Sequence, residues 1–231
     1  MYLYGAGGHA RVVADILAAS GVRLDGFIDD DTALECFMEF PVWHDAAFRR
    51  PVIVSIGDNY SRMVKTLQLE GDYGTAVHPA AVLAPDTSVG EGSVIVHGAV
   101  IQAGARIGRH CIINTSSVVD HEAVVGDYAH VAVGASLCGR VTVGEGTLIG
   151  AGSTVIPGVR IGKWAVIGAG AAVISDIPDF SIAVGNPAKV INFVGMDKVE
   201  KINRISRGGD FEYLVIRPAV GTSAEIKRPA C

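Results

Sequence analysis

Apolar positions recur with a period of six through the middle of the chain. Counting from Val77, every sixth residue is aliphatic until Asp179 interrupts the series. A regular repeat of this length is typical of a solenoid, in which each repeat is one structural unit that stacks on the next. The seventeen positions are Val77, Leu83, Val89, Ile95, Ile101, Ile107, Ile113, Val119, Val125, Val131, Leu137, Val143, Ile149, Val155, Ile161, Ile167 and Val173.

A second period of eighteen residues lies on top of the first. Small residues such as Ala99 and Ala105 stand two places before most of the aliphatic positions, and a glycine follows every third one. Three faces of six residues make one turn of a triangular prism, with aliphatic side chains inside and small residues at the corners. The sequence therefore predicts a hexapeptide-repeat parallel β-helix, whose coils contact only their neighbours. We expect turn conformations that other residues resist at the repeat glycines Gly90, Gly108, Gly126, Gly144 and Gly162.

The N-terminal part of the chain, before the repeat begins, follows a different pattern. Short apolar stretches alternate with helix-like segments in "MYLYGAGGHARVVADIL", "VRLDGFIDDD" and "PVIVSIGDNYSRMVKTLQLEG". This alternation predicts a small parallel sheet with helices, a Rossmann-like α/β domain. We therefore assign an α/β domain to 1–75, the β-helix to 76–178 and a C-terminal extension to 179–231. Part of that extension is expected to form a short helix around 197–206.

Polar turns follow the three predicted strands of the first domain. Ligands of open parallel sheets bind beyond the carboxyl ends of the strands, and a glycine turn before a helix can cradle phosphate. Asp29 follows Gly7 at close to the spacing, roughly 20 residues, at which a carboxylate meets a ribose hydroxyl. A domain of this length holds only half of a dinucleotide fold, so a mononucleotide such as a nucleotide sugar is the expected ligand. In the alternative interpretation, the glycines only form a tight turn and the acids are solvated.

The segment "VVDHEAVVGDYAH" departs from the monotonous repeat around it. His121 and Glu122 fall outside the interior register, and so does His130. A histidine beside a carboxylate suits a general base, because the carboxylate holds the ring and stabilises the imidazolium formed on proton uptake. His121 and His130 are nine residues apart, which is half a turn of the prism, so one chain should present them on different sides of it. If both serve one site, that site lies between subunits of a closed oligomer, most simply a trimer.

Composition narrows the possible functions. Nineteen basic and 24 acidic residues are intermixed and give a net charge of −5, which does not favour nucleic-acid binding. No apolar run approaches the ~20 residues of a membrane-spanning helix. The four cysteines lack paired or metal-ligand spacing, and the chain opens without the pattern of a signal peptide. We therefore expect a cytoplasmic protein without a membrane span.

Several segments resemble bacterial sugar acetyltransferases of the PglD/NeuD type. The resemblance covers about residues 1–192 and rests on "YGAGGHARVVADIL", "FIDDD", "IGDN", "NTSSVVDHEAVVGDYAH" and "VGNPAKVI". Many hexapeptide-repeat proteins share the repeat and "GNPAK", but few add this glycine-rich N-terminal domain and "NTSSVVDHE". The resemblance implies a left-handed β-helix. It also implies acetyl-CoA-dependent N-acetylation of a nucleotide-linked amino sugar, with UDP-4-amino-4,6-dideoxy-N-acetylhexosamine as the favoured acceptor.

The resemblance also implies roles for individual residues. It assigns the catalytic base to His121 and the acid that supports it to Glu122. It places acetyl-CoA between adjacent subunits of a homotrimer, in contact with His130, Ala151 and Ala169. It places the sugar nucleotide in the N-terminal domain, in contact with Gly7, Gly8, His9, Asp29, Asp30, Gly57 and Asn59. Transfer is direct, within a ternary complex, and needs no metal.

Three other interpretations remain open at this point. A zinc enzyme on the same fold would use histidines between subunits, but the spacing of His97, His121 and His130 does not match that class. A non-catalytic sugar-nucleotide-binding scaffold would have no need of the His-Glu pair. O-acetylation of a sugar such as a sialic acid would use the same base on a hydroxyl group.

Overall fold

The computed structural model describes residues 1–46, 49–69 and 71–195. The helix expected around 197–206 lies outside these ranges. The described part consists of an N-terminal α/β unit and a left-handed parallel β-helix, as expected. None of the helices in the described ranges is long and apolar enough to cross a membrane.

The N-terminal unit is a five-stranded sheet with two helices. Its strands are β1 (Tyr2–Tyr4), β2 (Gly26–Ile28), β3 (Cys36–Phe37), β4 (Phe40–Trp43) and β5 (Val52–Val54), in the order β3-β4-β2-β1-β5. Helix α1 (Gly8–Ala19) follows β1, and α2 (Asn59–Gln68) follows β5. Strands β1, β2 and β5 pair in parallel, so the turns that follow them share one edge of the sheet.

The β3–β4 hairpin is an element that the sequence analysis did not predict. Its two turn residues, Met38 and Glu39, have φ angles of 51° and 65°. A two-residue type I′ hairpin turn requires this left-handed conformation at both positions, and its usual sequence is Asn-Gly or Asp-Gly. Met-Glu carries no such signal. The hairpin extends the sheet because β4 pairs in parallel with β2.

The strands of the β-helix stack in three sheets, which we call its faces, and those from β6 to β22 have two residues each. The first face contains β6 (Ala76–Val77), β9 (Val94–Ile95), β12 (Ile112–Ile113), β15 (His130–Val131), β18 (Leu148–Ile149), β21 (Val166–Ile167), β23 (Ser181–Val184) and β24 (Lys189–Phe193). The second face contains β7 (Val82–Leu83), β10 (Val100–Ile101), β13 (Val118–Val119), β16 (Ser136–Leu137), β19 (Thr154–Val155) and β22 (Ala172–Val173). The third face contains β8 (Ser88–Val89), β11 (Arg106–Ile107), β14 (Val124–Val125), β17 (Thr142–Val143) and β20 (Arg160–Ile161).

The interior of the prism follows the six-residue register. Each of the seventeen aliphatic positions is the second residue of one strand from β6 to β22. From Ile95 to Val173 these side chains are at most 3% exposed, whereas Val77, Leu83 and Val89 are only partly buried because the first coil has one neighbouring coil instead of two. The small residues two places earlier, such as Ala99 and Ala123, are fully buried at the corners. The hexapeptide prediction is thus confirmed.

The repeat glycines are needed for a different reason from the one expected. None of them has a positive φ, so the expectation of special turn conformations is wrong for this set. Instead, a Cβ on Gly90 would lie 2.6 Å from the backbone of Gly108, and one on Gly144 would lie 2.4 Å from Lys163 N. The backbones of successive coils approach so closely here that a side chain has no room. Positive φ angles occur at other corner positions, some of them not glycine.

Arg62 of α2 joins the two parts of the molecule. Its side chain is 1% exposed, and its guanidinium donates five hydrogen bonds of 2.8–3.0 Å to uncharged acceptors. The carbonyls of His110 and Tyr128 belong to the corner between the third and first faces, which we call the third corner. The remaining acceptors are the carbonyls of Ile56 and Gly57 and the side chain of Asn59. Arg62 therefore fixes the loop before α2 to the β-helix.

Replacement of Arg62 by methionine is expected to lower the free energy of unfolding by about 3–5 kcal/mol, because five acceptors, three of them in buried hydrogen bonds, lose their donor at once. Chemical denaturation at neutral pH measures the loss. The matched control is Arg106→Met on β11, where the side chain is exposed and the expected change stays within about 0.5 kcal/mol. Similar losses in the two variants would contradict the anchoring role of Arg62.

Candidate active site

The His-Glu pair lies at the corner between the second and third faces, which we call the second corner. His121 and Glu122 follow β13, and their side chains are 49% and 61% exposed. His121 Nδ1 lies 3.4 Å from Glu122 Oε2, and Arg140, one coil further on, brings Nη1 to 3.9 Å from the same oxygen. The backbone N–H of His121 donates to Asp120 Oδ1 at 2.7 Å. The structure thus brings the predicted base and its predicted carboxylate partner together at an accessible corner.

Glu122 has a left-handed backbone conformation, with a φ of 56°. The corresponding residue one coil further on, Arg140, has a φ of 60°, and Gly104 stands at this position one coil earlier. The left-handed conformation therefore belongs to the corner geometry of the repeat, and it does not by itself distinguish the His-Glu pair.

The imidazole of His121 lies against the backbone of Gly139 in the next coil. A Cβ built on Gly139 would be 2.3 Å from His121 Nε2 and 2.5 Å from Cε1. Among the backbone hydrogen bonds of the described residues, the Gly139 carbonyl accepts from Gly158 N, and none uses the Gly139 N–H. Gly139 therefore provides both the space for the ring and a candidate donor beside it.

Replacement of Gly139 by alanine is expected to lower turnover by roughly 10²-fold, because the added methyl group displaces the imidazole, and misplacement of a catalytic group by about 1 Å is that costly. The φ of Gly139 is not in the left-handed region, so the backbone itself tolerates alanine. The control is Gly134→Ala, which introduces strain at φ 64° but meets no atom within 4 Å. A Gly139→Ala enzyme with wild-type kcat would show that the contact between Gly139 and His121 does not affect catalysis.

His130 lies on the first face, away from His121. Asn114 Nδ2 is 3.0 Å from His130 Nε2, and the orientation of this amide is set because Asn114 Oδ1 accepts from Thr115 N at 2.8 Å. The Asn114 amide therefore donates to Nε2, which places the imidazole proton on Nδ1. Burial, followed by the positive charge of Arg62, lowers the pKa of His130 to about 3. His130 is thus a neutral ring that can donate one hydrogen bond.

Six of the seven residues expected to contact the nucleotide sugar line one cavity of about 300 Å³. The cavity lies at the shared edge where β1, β2 and β5 end, as the sequence predicts for the polar turns. Its walls also include Tyr4, Gly5, Ala6, Ser55 and Ile56. The residues predicted from the sequence are Gly7, Gly8, His9, Asp29, Asp30 and Gly57.

The two acids of this cavity have different surroundings. Asp29 uses both carboxylate oxygens to accept backbone hydrogen bonds, from Ala6 N at 2.7 Å and Asp31 N at 2.9 Å. Asp30 accepts from the Tyr4 hydroxyl and pairs with Lys65 Nζ at 2.7 Å. Burial acts to raise the pKa of Asp30, but the hydrogen bonds from Lys65 and Tyr4 outweigh it and lower that pKa. Asp29 thus shapes the turns, and Asp30 stays a carboxylate.

His9 contributes a second neutral imidazole to the cavity wall. Burial, with a smaller effect of the Arg62 charge, lowers the pKa of His9 to about 4. Its Nε2 is buried and has no hydrogen-bond partner among the described residues. An unpaired buried nitrogen at the wall of a cavity is a candidate contact for a ligand.

A second cavity of about 240 Å³ lies next to the cavity predicted to bind the nucleotide, which we call the nucleotide cavity, and His130 forms part of its wall. Gly57 belongs to both cavities, and Asp58, Asn59, Trp164 and His130 are among the residues that line the second. Asn59 therefore lies apart from the other six predicted residues. Its amide donates to Gly146 O at 3.0 Å and accepts from Arg62, so it fastens the loop to the β-helix.

The residues predicted to contact acetyl-CoA do not meet the histidine predicted to be the catalytic base within one chain. Ala151 and Ala169 are exposed and stack in successive coils at the corner between the first and second faces, which we call the first corner. His121 lies at the second corner. The three histidines considered as zinc ligands do not come together within one chain either. His97 lies at the first corner, His121 at the second corner and His130 on the first face.

Sequence comparison places the chain among known families. The sequence profile of the PglD N-terminal domain matches residues 1–66, and that of the bacterial transferase hexapeptide (six repeats) matches residues 140–175. None of the curated proteins matches the chain.

Several solved structures are similar over most of the chain. A perosamine N-acetyltransferase mutant from Caulobacter crescentus, in complex with CoA and GDP-perosamine, is 36% identical, with a TM-score of 0.78, over 83% of this chain and 96% of that one. The acetyltransferase domain of PglB from Neisseria gonorrhoeae, in complex with acetyl coenzyme A, is 32% identical, with a TM-score of 0.75, over 82% and 98%. WeeI from Acinetobacter baumannii is 26% identical, with a TM-score of 0.75, over 82% and 98%.

Proposed function

The chain belongs to the PglD/NeuD-type family of sugar N-acetyltransferases, and we propose that it transfers the acetyl group of acetyl-CoA to the 4-amino group of a nucleotide-linked amino sugar. The observation that carries this proposal is the combination, in one chain, of the nucleotide cavity with the His121-Glu122 pair on a β-helix. The relatives crystallised with CoA, acetyl-CoA and GDP-perosamine support the same reaction class.

The proposed chemistry is direct acyl transfer. The neutral amine attacks the thioester carbonyl, so that a C–N bond forms and the C–S bond breaks. His121 takes the proton that the amine loses and returns it to the departing CoA thiolate. Glu122 orients the ring, and the Gly139 N–H is the proposed donor to the oxyanion that develops on the carbonyl. Holding both substrates together provides much of the rate enhancement.

The proposed assembly is a homotrimer with its active sites between subunits. It is supported by the positions of His121 and of the pair Ala151 and Ala169 at different corners of one chain. A cosubstrate held at the first corner of one subunit can reach His121 only if another subunit presents its second corner there. A closed threefold ring satisfies this requirement at all three sites. Acetyl-CoA is a cytoplasmic metabolite, so we place the reaction in the cytoplasm.

The proposed acceptor is tested by release of the CoA thiol from acetyl-CoA. The first acceptor is UDP-4-amino-4,6-dideoxy-N-acetylglucosamine, followed by the GDP- and dTDP-linked amino sugars and by hydroxyl acceptors. Turnover with one 4-amino sugar and a product acetylated on nitrogen, as located by NMR, is the expected result. Turnover confined to hydroxyl acceptors would identify an O-acetyltransferase. Tight nucleotide-sugar binding without thiol release from any acceptor would favour the scaffold interpretation.

A further inference from the structure

Three side chains with metal-ligating atoms converge near the first corner, at the opposite end of the second face from His121. Asp15 lies on α1, His78 follows β6 and His97 follows β9. Each offers one ligand atom, and the three atoms lie within 4.8 Å of one another. Within residues 1–46, 49–69 and 71–195, this is the one group of three such side chains at that spacing. The sequence does not indicate that Asp15 and His78 lie close together, because they are far apart along the chain and belong to different domains.

The contacts within this group are already close to those of a coordination site. His97 Nε2 lies 2.8 Å from Asp15 Oδ2. The rings of His78 and His97 stack with centroids 3.7 Å apart and an angle of 27° between their planes. The His78 ring is oriented by Ala80, whose N–H donates to His78 Nδ1 at 3.0 Å. The side chains of His97 and Asp15 are 39% and 63% exposed, so an ion can reach them from solvent.

We propose that Asp15, His78 and His97 bind a divalent transition-metal ion, with zinc as the best fit, and that this ion fastens α1 to the first two coils of the β-helix. Two imidazole nitrogens and one carboxylate oxygen form a ligand set that zinc prefers and that leaves a fourth position for water. Tetrahedral zinc with bonds of about 2.0–2.1 Å places its ligand atoms roughly 3.3 Å apart. The three ligand atoms already lie within 4.8 Å of one another, and the Ala80 hydrogen bond to His78 is given up if that nitrogen binds the ion.

The proposed ion has no part in acetyl transfer. Within one chain, His121 lies at the second corner. Along the first corner, His97 precedes Ala151, where acetyl-CoA is proposed to bind, by three coils, and the proposed transfer uses only protein groups. The ion would instead replace the hydrogen bond between Asp15 and His97 with three coordinate bonds. Because it binds only the folded arrangement of these three segments, it should stabilise the folded protein in proportion to its concentration. Binding also displaces any proton held between His97 and Asp15.

The test is a zinc titration of the full-length protein by isothermal titration calorimetry near pH 7.5, with stoichiometry checked by metal analysis after dialysis. We expect saturable binding of one ion per chain with micromolar affinity, and a rise in the melting temperature on zinc addition. Magnesium should show no saturable binding, because it prefers oxygen ligands. His97→Ala and Asp15→Asn should each weaken zinc binding by at least about tenfold. His44→Asn removes an exposed imidazole elsewhere and should leave zinc binding unchanged.

Three outcomes would overturn the proposal. The first is the absence of saturable zinc binding to the wild-type protein. The second is wild-type affinity in His97→Ala and Asp15→Asn, both of which replace partly exposed side chains and should fold normally. The third is zinc binding that persists in these variants and disappears in His121→Ala, which would place the ion at the catalytic pair. Equal magnesium and zinc affinities would also count against it, since they indicate non-selective association with carboxylates.

Discussion

Replacement of His121 by alanine is expected to lower kcat by about 10²-fold or more, with a much smaller effect on the KM of either substrate. In the proposed mechanism, the His121 ring beside Glu122 accepts the amine proton. Because the side chain is half exposed at the corner, its loss creates no buried cavity. The measurement is CoA-thiol release with saturating acetyl-CoA and amino-sugar acceptor. Because the site is open, added imidazole should restore part of the activity of His121→Ala.

Two further variants separate proton transfer from positioning in this experiment. Glu122→Gln keeps the shape of the side chain and removes its charge, so it should reduce kcat less than the loss of His121 does. His97→Ala removes a partly exposed histidine that lines neither cavity and should retain wild-type kcat. If His121→Ala turned over at the wild-type rate, the base would have to be another group, although the family assignment would stand.

The β-helix could be predicted from the sequence because its contacts repeat. Each interior residue packs on the residue eighteen places away, so one local rule fixes every coil, and the register of positions such as Ile113 and Val131 follows from it directly. The same regularity placed His121 and His130 on different sides of the prism. The nucleotide cavity was also accessible to prediction, since the turns after parallel strands always share one edge.

The residues that the sequence did not reveal depend on contacts between distant segments. Arg62 reads as one more charged residue on a surface helix, and only the docking of α2 on the third corner buries it. Asn114 lies in the quoted "NTSSVVDHE" segment, yet its role became visible only when the fold placed its amide beside His130. The repeat glycines were recognised by their period, but their close backbone approach was mistaken for a turn requirement.

Acidification from pH 7 to pH 5 is expected to lower the free energy of unfolding substantially, through the buried His110 and the partly buried His9 and His130. Burial is the main cause that lowers the pKa of His9 and His110 to about 4 and that of His130 to about 3. Between pH 6.5 and these values the unfolded chain binds a proton at each site and the folded chain does not. Stability is therefore complete above pH 6.5 and falls below it, by at most about 2 kcal/mol per histidine at pH 5.

Other groups change this balance little within that window. The pKa of Glu145 is raised by burial and by Asp127, so its protonation stabilises the folded state as the pH falls and opposes the histidines. The lowered pKa values of Asp25 and Asp30 matter only at more acidic pH, near the ordinary carboxylate range. The three histidines outweigh the one glutamate, so we expect a net loss of stability on acidification. Urea denaturation at pH 7, 6 and 5 measures this loss.

His110 offers the sharpest test of this origin, because it lies outside both cavities. Its ring stacks on Tyr128 with centroids 5.4 Å apart and meets the edge of Tyr73 at 4.5 Å, while its Nδ1 has no hydrogen-bond partner among the described residues. His110→Phe retains an aromatic ring, and His110→Asn suits the backbone φ of 53°. The two variants should differ in stability at pH 7, yet each should lose about a third of the wild-type pH dependence. A wild-type pH dependence in both would mean that the acid sensitivity arises elsewhere, since only the removal of a titrating ring is common to them.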